Sequence, residues 1–288
     1  MNDQAAALRQ LVFRKREVNP SGNSRCEIIA ITSGKGGVGK SNITMNSALA
    51  MAANGAKVLI LDADIGTANI DILVGLSPRK HLGHLLDGEA TLFEIMTKIS
   101  DNLYLIPGTS GTPDISEMPL HRLASFQEEL LKIEDTFDYL FVDTSAGVSK
   151  QVINILRGAD RIMLICNAEP TSILDAYALC KVLYQVEDGA EVEFVANNVS
   201  GEVEAQEVYG KLRVAIKHFL NRELKYLSFV VHDKGIADGV INQKPLMIQD
   251  APGPARASFQ KLAELLMHSD GWALGRGIHQ LFNFLVEK

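Results

Sequence analysis

The stretch Ile28-Ile29-Ala30-Ile31-Thr32-Ser33-Gly34-Lys35-Gly36-Gly37-Val38-Gly39-Lys40-Ser41 decides the fold. Its opening, Ile28–Ile31, is an unbroken apolar run, the pattern of a parallel strand buried on both faces. A Gly-rich turn, Gly34–Gly39, follows, and then a helix-forming segment, Asn42–Ala53. The whole reads G-x-x-x-x-G-K-S between strand and helix, the context that a phosphate-binding loop requires. Glycines let the backbone turn tightly and aim several N–H groups at phosphate oxygens. The positive end of the following helix dipole adds to their pull. In such a loop Lys40 reaches the β/γ-phosphates and the Ser41 hydroxyl ligates Mg²⁺. Gly34, Lys35, Gly36, Gly37, Val38, Gly39 and Asn42 complete the expected ATP/ADP cradle. The competing reading is a Gly-rich turn that binds nothing, and the complete motif in context argues against it.

Working outward, the next apolar strand, Val58–Leu61, ends in Asp62-Ala63-Asp64-Ile65-Gly66. In a parallel sheet, ligands sit beyond the carboxyl ends of the strands. Two carboxylates there face the phosphates. Asp64 is placed to orient a water for attack on the γ-phosphate, and Asp62 to support Mg²⁺ through water; capping of the next short helix is the other reading of Asp64. A later strand, Phe137–Val142, ends in Asp143-Thr144-Ser145-Ala146-Gly147, so Asp143 is a second candidate for holding Mg²⁺. The small-residue turn after it suits a γ-phosphate-sensing switch.

Further strands are expected at Leu103–Pro107, Arg161–Cys166, Glu191–Ala196 and Leu224–Val230. Helices are expected at Asn69–Val74, Arg79–Leu86, Thr91–Ile99, Met118–Glu134, Thr171–Val186, Val203–Leu220 and Ala251–Met267. Strands alternating with helices predict an α/β, doubly wound, mostly parallel sheet with flanking helices. Asn197, at the mouth of a late strand, is either a donor to the adenine edge or a turn residue.

The 288 residues suffice for one large α/β domain. Hydrophobic residues make up 47% and charged residues 22%, a globular balance. A formal net charge of −7 weighs against a surface that seeks nucleic acid. The three cysteines, Cys26, Cys166 and Cys180, lack C-x-x-C spacing and read as reduced thiols of a cytoplasmic protein. His81 and His84 have no nearby third ligand. Neither a signal peptide nor a bilayer-length apolar run is evident.

Two terminal segments fall outside this pattern. At the start, Asn2–Glu17 carries Leu8, Leu11 and Val12 at helical spacing among basic residues, before the linker Asn19-Pro20-Ser21-Gly22-Asn23-Ser24. Such a short helix needs a surface to dock on; a disordered basic tail is the other reading. At the end, Ile278, Leu281, Phe282 and Leu285 share one helical face, with Trp272 upstream. That face either lies on a membrane or packs on the core. The expected organisation is therefore an arm and linker over residues 1–24, an ATPase domain over 25–268 and an amphipathic, membrane-targeting helix over 269–288.

One feature of the loop narrows the class. Lys35 is not needed to cradle phosphate, and the two-lysine loop Gly-Lys-Gly-Gly-Val-Gly-Lys-Ser resembles the deviant Walker A motif of the MinD/ParA family. The resemblance extends, in order and spacing, over the Asp62–Gly66 turn and the Asp143 switch. It implies that Lys35 reaches the partner's phosphates in an ATP-dependent homodimer. Within the family, Lys40-Ser41-Asn42-Ile43 and Asn69-Ile70-Asp71-Ile72-Leu73 look like the flagellar-number regulators of the FlhG/FleN type. Asp3-Gln4-Ala5-Ala6-Ala7-Leu8-Arg9 matches the D-Q-A-x-x-L-R motif with which those proteins stimulate an FlhF-like GTPase, and implies partner contacts from Asp3, Gln4, Ala5, Leu8 and Arg9. The resemblance further implies slow ATP hydrolysis, polar placement at the inner face of the cell membrane, and switch-complex proteins or a flagellar transcription factor as further partners. There are departures. Ser145 stands where the wider family usually has proline or glycine. Val231 replaces the proline that many relatives carry before His232-Asp233, the loop from which adenine contacts, Asp233 among them, are implied.

Three other readings compete. A division-site MinD protein shares core and tail but gives no reason for Asp3–Arg9. A ParA-type DNA partition ATPase needs a basic stripe that the acidic balance disfavours. A metabolic P-loop enzyme has no use for Lys35.

Overall fold

A computed structural model describes residues 26–64, 69–108, 120–134, 136–249, 252–268 and 277–286. Eight strands among them form one sheet in the order β3-β4-β2-β5-β1-β6-β7-β8. They are β1 (Glu27–Thr32), β2 (Val58–Ala63), β3 (Thr97–Lys98), β4 (Leu103–Ile106), β5 (Tyr139–Thr144), β6 (Arg161–Cys166), β7 (Val192–Val199) and β8 (Lys225–Val231). All pairings are parallel except β3 with β4, at one edge. The order reverses at β1, which lies between β5 and β6. Loops leaving the carboxyl ends of those strands diverge there and open a crevice.

The helices are α1 (Lys40–Ala53), α2 (Ile70–Leu73), α3 (Leu82–Leu86), α4 (Leu92–Ile95), α5 (Leu120–Glu134), α6 (Lys150–Gly158), α7 (Pro170–Val186), α8 (Glu202–Leu220), α9 (Lys234–Ile241), α10 (Pro254–Met267) and α11 (Gly277–Leu285). The period-2 alternation of strand side chains divides the core between the two sheet faces. Ile29, Ile31, Ile60, Phe141 and Met163 face α1 and α10. Ile28, Ala30, Leu59, Leu140 and Ile162 lie on the other face, with α5, α6, α7, α8 and α11. Each isoleucine buried this way contributes about 2–3 kcal/mol.

Three features depart from the sequence expectation. The helix expected over Thr91–Ile99 stops at Ile95. Its Thr91 backbone N–H is capped by Glu94 Oε2 at 2.8 Å, Met96 turns extended, and Thr97 and Lys98 pair with β4. Helix α6 was not expected; Ser149 caps it, its Oγ accepting from the Val152 N–H at 3.2 Å. Helix α9, whose cap is Asp233, was also not expected.

The tail takes the second of its two readings and packs on the core. Ile278, Leu281 and Phe282 are buried in the same core cluster as β1 and α6, and Leu285 packs against that cluster. The apolar face of α11 is therefore covered by protein, not presented to a membrane. A Cβ on Gly158 of α6 would lie 2.6 Å from the Leu281 Cα, so only glycine admits this approach. The Ile278 N–H donates to Glu134 Oε1 at 2.7 Å, Gln127 Nε2 meets His279 Nδ1 at 2.9 Å, and Arg157 lies over the Phe284 ring at 4.3 Å. Trp272 lies outside the described residues, as do Asp3, Gln4, Ala5, Leu8 and Arg9 of the arm.

Candidate nucleotide site

The crevice at the carboxyl end of β1 holds the Gly-rich loop. Gly37 and Gly39 adopt φ values of 78° and 89°, the left-handed region that glycine enters without strain. Gly39 caps α1 without a side chain, so the first N–H groups of the helix stay open toward the crevice. The loop's start is fixed from both sides. A Cβ on Gly34 would lie 2.1 Å from the Asp175 carbonyl carbon of α7. The Gly147 N–H, in the turn after β5, donates to the Ser33 carbonyl at 2.9 Å.

Asp143 is fully buried at the end of β5 and gathers three donors from α1. Lys40 Nζ donates to its Oδ1 at 2.9 Å, Ser41 Oγ to its Oδ2 at 2.6 Å, and Thr44 Oγ1 to its Oδ1 at 2.8 Å. Thr44 was not singled out in the sequence, although its place one turn beyond Lys40 puts it on the same helical face. Asp62 is the register partner of Asp143 on β2. Its Oδ2 accepts the backbone N–H groups of Asn69 and Ile70 at 3.1 and 3.2 Å, and its Oδ1 that of Asp64 at 3.2 Å. Burial, then the neighbouring Asp143, pushes the Asp62 carboxyl up to about 7. Asp64 is half-buried just beyond β2. Two buried carboxylates side by side with a hydroxyl make a hard-oxygen set of the kind Mg²⁺ takes. The open N–H groups of the loop and the Lys40 ammonium suit a triphosphate.

Lys35 lies outside this knot. Its Nζ contacts Glu169 Oε2 at 2.5 Å and Thr171 Oγ1 at 2.9 Å, at the start of α7.

A family model described as "AAA domain" matches residues 26–194. "Antiactivator FleN" of Pseudomonas aeruginosa is 32% identical over 262 residues, 91% of this chain and 92% of that protein. "Flagellum site-determining protein YlxH" of Helicobacter pylori is 34% identical over 273 residues, 93% of this chain and 91% of that protein. The chain belongs to the FlhG/FleN branch of the MinD/ParA ATPases. The fold agrees: septum site-determining MinD from Pyrococcus horikoshii, solved with Mg-ADP, superposes with a TM-score of 0.68 at 22% identity, over 85% of this chain and 98% of that one.

In this MinD/ParA ATPase, the two residues expected to bind the base both make contacts within the protein. Asn197 does not end β7, which runs on to Val199. Its buried amide donates from Nδ2 to the Val38 carbonyl at 2.7 Å, and the same Nδ2 stands 2.3 Å from where a Cβ on Gly39 would be. Asn197 thus buttresses the phosphate loop from beneath. Asp233 clamps backbone: Oδ1 accepts the Gly235 N–H at 2.8 Å, capping α9, and Oδ2 the Ala255 N–H at 3.2 Å, at the start of α10. Its carboxylate ties the loop after β8 to α10. Asn42 keeps its place in the first turn of α1, where its carbonyl accepts from Asn46 Nδ2 at 2.8 Å.

Proposed function

We propose that this MinD/ParA ATPase is a nucleotide-timed switch that sets flagellar number or placement. ATP with Mg²⁺ assembles a homodimer, slow hydrolysis to ADP and phosphate dissolves it, and partners read the difference. The observation that carries the reading is the division of labour between the two loop lysines. Lys40 is locked inside the site on Asp143, whereas Lys35 is a third exposed on the subunit surface and remains for work between subunits. When ATP binds, the Lys40 ammonium turns from Asp143 to the β/γ-phosphates. Ser41 and Asp143, with Asp62 behind them, would hold Mg²⁺, which would screen the phosphate charge. Asp64 orients the attacking water at the γ-phosphate.

The name of YlxH, a flagellum site-determining protein, supports the flagellar part of the reading. In this reading the arm, through Gln4 and Arg9, stimulates an FlhF-like GTPase, and α11 exchanges its protein groove for the anionic inner face of the cell membrane. Switch-complex proteins or a flagellar transcription factor are further partners.

Light scattering with ATP tests the switch. Asp64→Ala is expected to bind ATP and remain dimeric without turnover. Lys35→Ala is expected to bind ATP as a monomer. Hydrolysis by Asp64→Ala near the wild-type rate, or a normal ATP-dependent dimer from Lys35→Ala, overturns the corresponding role. A pull-down with the Asp64→Ala protein tests the cellular role: division or partition proteins in place of flagellar ones overturn it.

A further inference from the structure

Lys35 needs a reason to stay off the phosphates until a second subunit arrives. Its ammonium is folded back onto its own subunit, 2.5 Å from Glu169 Oε2 and 2.9 Å from Thr171 Oγ1. The receiving side is preorganised. Asn167, buried at the end of β6, donates from Nδ2 to Glu169 Oε1 at 3.2 Å and accepts the Glu169 N–H on Oδ1 at 3.3 Å. Pro170, the first residue of α7, fixes the backbone direction just beyond. The Lys35 side is fixed as well, because Gly34 lies flush against the α7 backbone at Asp175. Asn167 therefore turns one Glu169 oxygen inward and leaves the other for the lysine, and the Glu169 carboxyl is held below its usual range by that lysine.

We propose that Glu169 is a positioning residue for Lys35: with Thr171 it holds the ammonium in a resting berth, from which the lysine must be drawn before it can serve a second subunit. The proposal rests on the cross-subunit role of Lys35 given above. Charge supplies the logic. Lys40 is neutralised by Asp143, and Glu169 does the same for Lys35, so two lysines five residues apart share one loop without mutual repulsion. A triphosphate in the facing subunit offers more negative charge than one carboxylate and outcompetes it. Both side chains of the pair are a third or more exposed, so water screens the contact. An exposed pair of this kind shifts an equilibrium about 1.5- to 5-fold, which makes the berth a threshold rather than a block.

Two measurements on the full chain test it. The first is acetylation footprinting of nucleotide-free protein, read by mass spectrometry at Lys35 with Lys57 as the internal control. Glu169→Gln should raise Lys35 labelling about threefold and Thr171→Val less, with unfolding curves unchanged. Equal labelling of Lys35 in wild type and Glu169→Gln overturns the berth. The second is ATP-dependent light scattering. Glu169→Gln should lower the half-maximal ATP concentration for dimerisation about two- to fivefold, and Glu169→Gln combined with Lys35→Ala should behave as Lys35→Ala alone. An unchanged or raised ATP requirement, or an effect of Glu169→Gln that survives the loss of Lys35, overturns the positioning role. A Lys35→Ala protein that dimerises like wild type removes the cross-subunit reading instead, and the footprint then decides the berth by itself.

Discussion

Gly34 and Gly36 stand two residues apart in one loop and answer to different constraints. A methyl group on Gly34 would enter the backbone of α7 at Asp175, whereas one on Gly36 meets nothing within 4 Å. Gly34→Ala is therefore expected to cost about 1–3 kcal/mol in urea unfolding, the range for forced overpacking. Gly36→Ala is expected to stay within about 0.5 kcal/mol of wild type. Equal effects would mean that the loop rests on α7 less closely than its geometry indicates. Lys40→Ala removes the ammonium that faces the β/γ-phosphates and should weaken ATP binding about 100-fold or more by calorimetry. The phosphate residues were legible because their chemistry is local: a strand, six loop residues and a helix start. Asp143 was legible because it closes an apolar strand. The contacts of Asn197 with Val38 and of Asp233 with Ala255 were not legible, because those partners are distant in sequence. Val38 lies 159 residues from Asn197, and Ala255 lies 22 from Asp233. Nothing in the neighbourhood of either residue announces those partners.

Among the elements, α11 shows why a hydrophobic stripe alone does not decide its surroundings. Ile278, Leu281 and Phe282 would read the same against lipid as against protein. What places them in this structure is Gly158, whose missing side chain makes room for Leu281, and the Glu134 carboxylate that receives the Ile278 N–H in the first turn of the helix. Helix α6, which carries Gly158, escaped the sequence reading because it is a nine-residue helix directly after the switch turn, and strand β3 because two residues carry no period. Phe282→Ala is expected to destabilise the protein by about 3–5 kcal/mol, the cost of emptying a core phenylalanine site. A loss under about 1 kcal/mol in urea unfolding would return α11 to the surface. Gly158→Leu drives a side chain into the Leu281 backbone and should expel the helix. If the released face then seeks lipid, this variant floats with anionic liposomes more than wild type does. Unchanged flotation together with a lowered unfolding midpoint would leave α11 a core helix without a membrane role.

At the scale of the whole molecule, the described hydrophobic core begins at Cys26 and Ile28, and the nucleotide crevice opens where the strand order reverses at β1. Among the described residues, none of those that hold the crevice together precedes β1. Removal of Met1–Arg16 is therefore expected to leave ATP binding and ATP-dependent dimerisation within error. The arm carries Leu8, Leu11 and Val12, too few apolar residues to hold a helix in isolation. Folding on a partner would bury them and give Gln4 and Arg9 directed polar contacts. The deletion should abolish stimulation of the FlhF-like GTPase. Gln4→Ala and Arg9→Ala should each remove most of it, while Ala6→Ser should not. A peptide of Met1–Asn19 should retain part of the stimulation, because its contacts need no sheet behind them. GTP turnover measured with intact and deleted protein at equal concentration decides the matter. Equal stimulation by the two would strip the arm of its role and remove the strongest sequence support for a flagellar partner.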